Sequence, residues 1–186
     1  LAQGAEGIAV GLATRILPHN FCELIDASIK YLRGKKFELL PDFLTGGSMD
    51  ATQYNDGKRG GKIKVRADIA ELDKKTLIIT SVPFGITTSQ LMESIVKAND
   101  QGKIKVKKVT DHTAAQVEIV VELAPGISPD ITIDALYAFT DCEVSISPNA
   151  CVIENQKPVF MGVRDLLMQA TDATKELLKR ELEIKL

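Results

Sequence analysis

Residues 76–87 decide the fold, and they read Thr76-Leu77-Ile78-Ile79-Thr80-Ser81-Val82-Pro83-Phe84-Gly85-Ile86-Thr87. The apolar, β-branched run at the start is typical of a strand, and the Pro-Phe-Gly sequence that follows ends it. Thr87 with Gln90 three residues later then predicts a helix by the capping-box pattern. Just upstream, residues 62–70 alternate apolar and polar side chains, so they predict a half-buried strand with a cationic outer face. Together these residues predict a strand–strand–helix unit.

A second copy of this plan follows. Strands predicted at 104–109 and 116–123 precede Gly126-Ile127-Ser128, which lies forty-one residues after Gly85-Ile86-Thr87. Ser128 is predicted to cap the next helix, and Pro129 suits its first position because a missing N–H costs nothing there. We therefore predict an α+β two-layer sandwich, a mainly antiparallel sheet with the helices on one face. Further strands complete this sheet in the prediction: 143–147, 151–154 and 158–160.

Two other helices are predicted at the ends of the chain. Asn20 can cap a helix whose apolar positions, Phe21, Ile25, Ile29 and Leu32, share one face and which ends at Gly34. Residues 35–57 predict an irregular connection, because they contain Pro41 and several glycines. Residues 163–186 repeat apolar side chains at threes and fours and predict a long helix.

Composition places the chain among ordinary globular proteins. It has 186 residues, 45% of them hydrophobic and 26% charged, and a net charge of −2. Three cysteines without a Cys-x-x-Cys pair argue against a disulfide framework or a zinc site, and for reduced thiols in the cytoplasm. No apolar run approaches the ~20 residues of a membrane span. The basic residues cluster at 58–66 and 103–108, so a local patch can bind phosphate despite the acidic total.

Residues 7–20 join a strand pattern to a short polar segment, Gly7-Ile8-Ala9-Val10-Gly11-Leu12-Ala13-Thr14-Arg15-Ile16-Leu17-Pro18-His19-Asn20. The apolar start predicts a buried strand. Two interpretations of the end stay open. Ile16 can be an apolar wedge that kinks duplex DNA, with Arg15 and His19 meeting phosphates. Alternatively, Ile16 and Leu17 pack in the core ahead of a capped helix, which is the interpretation that composition alone favours.

Residues 8–20 resemble the segment shared by the A subunits of bacterial type IIA topoisomerases, topoisomerase IV and gyrase. The similarity continues through Pro41-Asp42-Phe43-Leu44-Thr45-Gly46-Gly47, 59–67, Leu136-Tyr137 and the final helix, nearly the whole chain. Leu17 and Leu44 depart from the prolines common in the family. The resemblance implies that Ile16 intercalates into bent gate DNA and that a basic glycine turn lies near the DNA arms. The DNA-binding residues it implies are Arg15, His19, Asn20, Lys58, Arg59, Lys62, Lys64 and Arg66.

The resemblance also implies how the work of the enzyme is divided. None of the three tyrosines has the arginine neighbour of the family's DNA-cutting tyrosine, so that nucleophile is expected upstream of Leu1, and no catalytic or metal-ligating residue is expected here. Mg²⁺ and ATP are expected to act through the B subunit of an A2B2 enzyme that contains an A-subunit homodimer. A cytoplasmic, nucleoid-associated location follows. The implied domains are a DNA-contacting part at 1–34, a tower at 35–162 and the start of a coiled-coil arm at 163–186.

Other segments of the sequence bear on nucleotide binding and on alternative functions. A Walker motif is not present at Gly57-Lys58-Arg59-Gly60-Gly61-Lys62. The spacing between its glycines is one residue shorter than the motif requires, and a strand follows where the motif needs a helix. The basic residues at 103–108 are typical of a solvated strand edge. Two rival functions remain: a protein–protein interaction module built on the duplicated sandwich, and a small cytosolic enzyme, which would need a deep polar pocket.

Overall fold

The computed structural model describes all 186 residues, which form four α-helices, eleven β-strands and one short 3-10 helix. The predicted α+β class and the long C-terminal helix are confirmed. The strands are divided among four small sheets, whereas the sequence predicted that they join one. None of the four helices combines the length and the apolar character that crossing a bilayer requires.

The chain forms two compact units that alternate along the sequence. The first unit contains residues 1–42, 51–63 and 147–186, and the second contains residues 43–50 and 64–146. The three consecutive domains expected from the sequence follow a different division, and they stay a prediction.

The second unit is built on a four-stranded sheet. Its strands are β5 (Ile69–Asp73), β6 (Thr76–Ile79), β7 (Val106–Asp111) and β8 (Ile119–Leu123), in the antiparallel order β5-β6-β8-β7. Leu77 pairs with Val121 and Ile79 with Ile119, and all four side chains are fully buried. Because strand residues alternate between faces, these pairs mark one face of the sheet as the core face.

Two helices cover that face, as the duplicated pattern predicted. They are α2 (Thr88–Asp100) and α3 (Pro129–Phe139). Leu91 and Ile95 of α2 and Leu136 of α3 belong to the same buried cluster as the core face of the sheet. The capping box of Thr87 and Gln90 is present at the start of α2. Ser128 occupies the N-cap position of α3, but its side chain makes no capping hydrogen bond, so that part of the prediction is wrong.

A three-stranded sheet accounts for the strands that the sequence placed elsewhere. It has the order β3 (Ser48–Asp50), β4 (Ile63–Arg66) and β9 (Glu143–Ile146). The predicted strand at 62–70 is interrupted after Arg66, so its first half joins this sheet as β4 and its second half becomes β5. The alternation is nevertheless confirmed, because Ile63, Val65 and Ala67 are buried.

The first unit contains two hairpins and two helices. Its elements are β1 (Ala5–Ala9), β2 (Leu12–Ile16), α1 (Phe21–Leu32), the 3-10 helix (Asn55–Gly57), β10 (Cys151–Glu154), β11 (Lys157–Phe160) and α4 (Val163–Lys185). β10 and β11 pair only with each other and do not complete the larger sheet. The buried strand predicted at the start of residues 7–20 is wrong. That stretch contains the end of β1, a turn at Val10-Gly11 and strand β2, which together form a hairpin, and Ile8 is 91% exposed.

Helix α1 packs against α4 through a face that the apolar pattern did not indicate. Asn20 caps α1 through its side-chain oxygen, as predicted. The buried residues of α1 are Leu24 and Ala27, whereas the predicted apolar stripe stays 39–65% exposed. The Tyr31 hydroxyl donates to Asp172 of α4 at 2.7 Å, and the Thr171 hydroxyl donates to Ser28 at 3.1 Å. Two side-chain hydrogen bonds therefore join α1 to α4.

Candidate nucleic-acid interface

Ile16 ends strand β2, at the boundary between exposed and buried chain. It pairs with Ala5 across the hairpin and is partly buried. The next residue, Leu17, is only 2% exposed and belongs to the core of the first unit. Core packing, one of the two interpretations of this segment, therefore holds for Leu17. Ile16 keeps part of its surface accessible, as the wedge interpretation requires.

The polar residues beside Ile16 are engaged with the protein itself. The Arg15 guanidinium lies 3.7 Å from Glu6, its partner across the hairpin, and the Arg15 side chain is 38% exposed. The Asn20 amide nitrogen donates to Asp42 at 3.0 Å, while its oxygen accepts from the backbone of α1. A phosphate approaching Arg15 or Asn20 must therefore compete with a carboxylate.

His19 lies in the interior. It is 3% exposed, and its Nε2 shares a hydrogen bond of 3.2 Å with the Tyr54 hydroxyl, which is itself buried. Burial lowers the pKa of His19, and backbone hydrogen bonding and the carboxylate of Asp56 oppose this only in part. In this position the His19 ring packs inside the protein and pairs with Tyr54. The phosphate contact predicted for His19 would require the ring to become exposed, and it stays a prediction.

The basic glycine turn at residues 57–62 projects cations from the first unit. Lys58, Arg59 and Lys62 are all exposed. The Gly61 amide donates to the Lys58 carbonyl at 3.0 Å, and Gly60 supplies the left-handed residue at φ 90°. Gly61 lies so close to the Tyr54 carbonyl that a β-carbon would not fit. The local sequence therefore folds as a tight turn with Arg59 at its tip.

Residues 149–150 connect strand β2 to this turn. Asn149 exchanges two backbone hydrogen bonds with Arg15, of 2.8 and 3.0 Å, and its side chain donates to the Ala13 carbonyl at 2.7 Å. The next amide, that of Ala150, donates to the Gly57 carbonyl at 3.1 Å. Strand β2 and the basic turn are thus joined by backbone hydrogen bonds through two consecutive residues, Asn149 and Ala150.

The two remaining predicted cations lie on strand β4 of the second unit and share one carboxylate. Lys64 is 3.1 Å from Glu143, and the Arg66 guanidinium donates to the other oxygen of Glu143 and lies 4.9 Å above the Tyr137 ring. Partial burial works to raise the pKa of Glu143, but hydrogen bonds from Arg66 and Lys64 outweigh it and hold that pKa below its usual value. Glu143 therefore stays ionised and cancels part of the local positive charge.

Comparison with known proteins matches the whole chain to one family. The model of the DNA gyrase/topoisomerase IV A-subunit family covers residues 1–186. The A subunit of DNA topoisomerase 4 from Borreliella burgdorferi is 42% identical over 184 residues, which is 99% of this chain and 29% of that protein. The DNA gyrase A subunit of Lawsonia intracellularis is 32% identical over 203 residues, 100% of this chain and 25% of that protein. An organellar relative, the chloroplastic/mitochondrial DNA gyrase A subunit of Nicotiana benthamiana, is also 32% identical.

The chain belongs to the family of gyrase and topoisomerase IV A subunits. It spans about a quarter to three tenths of the length of these relatives. The predicted family is confirmed, and the chain is a segment of a type II topoisomerase subunit. The DNA contacts expected within that segment remain proposals.

The three tyrosines of this A-subunit segment have structural partners. Tyr31 donates to Asp172, Tyr54 meets His19, and the Tyr137 hydroxyl donates to the Ala67 carbonyl at 2.9 Å. No group of three or more His, Cys, Asp and Glu side chains is close enough to hold a metal ion.

Sequence reasoning missed three residues of the candidate site: Tyr54, Asn149 and Glu143. Each acts on a partner at least 35 positions away in the chain, as the pairs His19–Tyr54, Arg66–Glu143 and Ala13–Asn149 demonstrate. Local spacing carries no signal for such pairs. The closely spaced glycines that follow Tyr54 indicate a tight turn, but they do not identify what it packs against.

Proposed function

We propose that this segment is the DNA-binding and DNA-bending part of the A subunit of an ATP-dependent type II topoisomerase, either topoisomerase IV or gyrase. Such an enzyme passes one duplex through a double-strand break in another. In this proposal the segment contains no nucleophile, and the DNA-cutting tyrosine lies elsewhere in the same polypeptide. Mg²⁺ and ATP act through the B subunit, and two A subunits pair in the complete enzyme, which works on the chromosome in the cytoplasm.

One observation carries the proposal: the hydrogen-bonded connection from Arg15, the neighbour of Ile16 on strand β2, through Asn149 and Ala150 to Gly57 of the basic turn. A wedge that unstacks a base step costs roughly a few kcal/mol, which contacts with the flanking backbone must offset. Cations held at a fixed place relative to the wedge are suited to that task. Lys58, Arg59 and Lys62 hold phosphates, Arg15 lies beside the inserted side chain, and Ile16 enters the stack.

Lys64 and Arg66 form a separate phosphate-binding surface on the second unit. Glu143 holds both side chains extended from β4 and orders them before DNA arrives. The bend itself provides selectivity, because the energy of deforming a duplex depends on its sequence even where no base is contacted.

The wedge is tested by Ile16→Ala in the full-length A subunit, in complex with its B subunit. We expect reduced bending, measured by energy transfer between dyes at the two ends of a duplex, together with reduced cleavage. The matched control is Ile153→Ala, which truncates an isoleucine that is 73% exposed on another hairpin of the first unit. Normal bending by Ile16→Ala would remove Ile16 from the mechanism. Equal losses in both variants would indicate a general effect of reduced apolar surface.

A further inference from the structure

We propose that the hydrogen bond between His19 and Tyr54 couples the basic turn to the wedge, so that both are positioning residues for Ile16. This inference rests on the proposed function. Neither residue touches DNA in it. Their task is to transmit the position of the phosphate-holding turn to the side chain that enters the base stack.

Tyr54 lies three residues before the basic turn and packs against it. It is 3% exposed, and its carbonyl accepts from the Gly57 amide at 3.2 Å. Both Gly57 and Gly61 lie in close contact with it, Gly57 against the hydroxyl and Gly61 against the carbonyl. Two glycines of the turn therefore pack directly against Tyr54, so the position of its hydroxyl and the backbone of the turn depend on each other.

His19 is the corresponding anchor on the wedge side. It lies three residues after Ile16, and the intervening Leu17 is buried in the core. The backbone on either side of the ring is also held, because the His19 amide donates to the Ala2 carbonyl at 3.3 Å and the Asp42 amide donates to the Pro18 carbonyl at 2.9 Å. The His19 ring therefore extends from a short, well-held segment that follows directly on the end of strand β2.

The basic turn and the wedge segment are consequently connected at two places. One connection is the backbone route through Asn149 and Ala150, which side-chain substitution leaves in place. The other is the His19–Tyr54 pair, whose atoms are 3.2 Å apart in the interior of the first unit. A two-point connection fixes orientation as well as distance, and removal of the side-chain hydrogen bond should loosen the wedge without detaching the turn.

The test is Tyr54→Phe in the full-length A subunit, which removes the hydroxyl and keeps the ring. We expect the ratio of bent to unbent duplex to fall by about fivefold, the effect of one net hydrogen bond. Affinity and its salt dependence should stay unchanged, because Lys58, Arg59 and Lys62 are untouched. Tyr31→Phe is the matched control. It removes a hydroxyl of the first unit whose partner is Asp172 rather than His19, and it should bend DNA normally.

A double variant separates this inference from the proposed function. If Tyr54 acts through Ile16, then Tyr54→Phe should add no further decrease in bending in the Ile16→Ala background, whereas independent effects would add. Additive decreases, or unchanged bending by Tyr54→Phe alone, would overturn the coupling while leaving the wedge in place. Normal bending by Ile16→Ala would instead overturn the wedge.

Discussion

At the scale of single residues, the first unit keeps an ionisable ring in its interior. Burial lowers the pKa of His19 below its ordinary value of 6.5. The unfolded chain then binds a proton at a higher pH than the folded chain does. Stability from this group is present in full above pH 6.5 and is lost as the pH falls below it, with a slope of at most about 1.4 kcal/mol per pH unit for one proton.

The prediction is that the free energy of unfolding of the 186-residue chain falls between pH 7.5 and pH 5.5, and that His19→Gln removes this part of the fall. Urea titrations at several pH values measure it. His112→Gln is the matched control, because it makes the same substitution at the other histidine, whose side chain is 54% exposed; an equal effect of both variants would not be specific to His19. A slope that survives His19→Gln would assign the dependence to other groups.

At the scale of elements, the basic turn depends on close approach between Gly61 and the Tyr54 backbone. We predict that Gly61→Ala lowers the free energy of unfolding by about 1–3 kcal/mol, because its β-carbon would overlap with a buried carbonyl that cannot move aside freely. Gly7→Ala is the matched control, since its β-carbon would meet only a methyl group at 3.8 Å. Chemical denaturation of both variants checks this, and equal stabilities would contradict the close packing.

Some helices and strands could be predicted from the sequence, whereas the partners and buried faces of others could not. The start of helix α2 was predictable because its signal is local: the capping box of Thr87 and Gln90 lies within one turn. Strand β4 was predictable as an alternating pattern, but its partners were not, since β3 and β9 come from distant parts of the chain. Helix α1 was found, yet its buried face was misidentified, because its contacts with α4 use Tyr31 and Ser28 and the apolar stripe is left outside.

The candidate site divides in the same way. Ile16 and the cations of the turn were predicted from short stretches of sequence that resemble the family, and their contacts with DNA stay predictions. Their structural support was not predicted, because Asn149 lies 136 positions from the Ala13 carbonyl to which it donates. Short segments of this sequence are enough to predict the fold class and the family. The connection between strand β2 and the basic turn forms only when the chain folds.

At the scale of the whole molecule, the net charge is −2, so the proposed DNA binding depends on local basic patches. We predict that Arg59→Gln with Lys62→Gln in the full-length protein flattens the plot of log affinity against log salt by about 0.9 for each phosphate contact that the substitutions remove. Lys105→Gln with Lys108→Gln makes the same change of charge in the second basic cluster and should leave the slope intact. Titration at several salt concentrations measures both. Equal slopes in the two double variants would assign the turn to solvent.

The alternation of the two units along the chain has a practical consequence for exchanging parts between relatives. The second unit comprises 43–50 together with 64–146, so the backbone passes from one unit to the other four times. A chimera made with one crossover inside the segment would split a core. The second unit is transferred intact only when both stretches are replaced together. Functional recombinants between relatives should therefore have their breakpoints outside this segment.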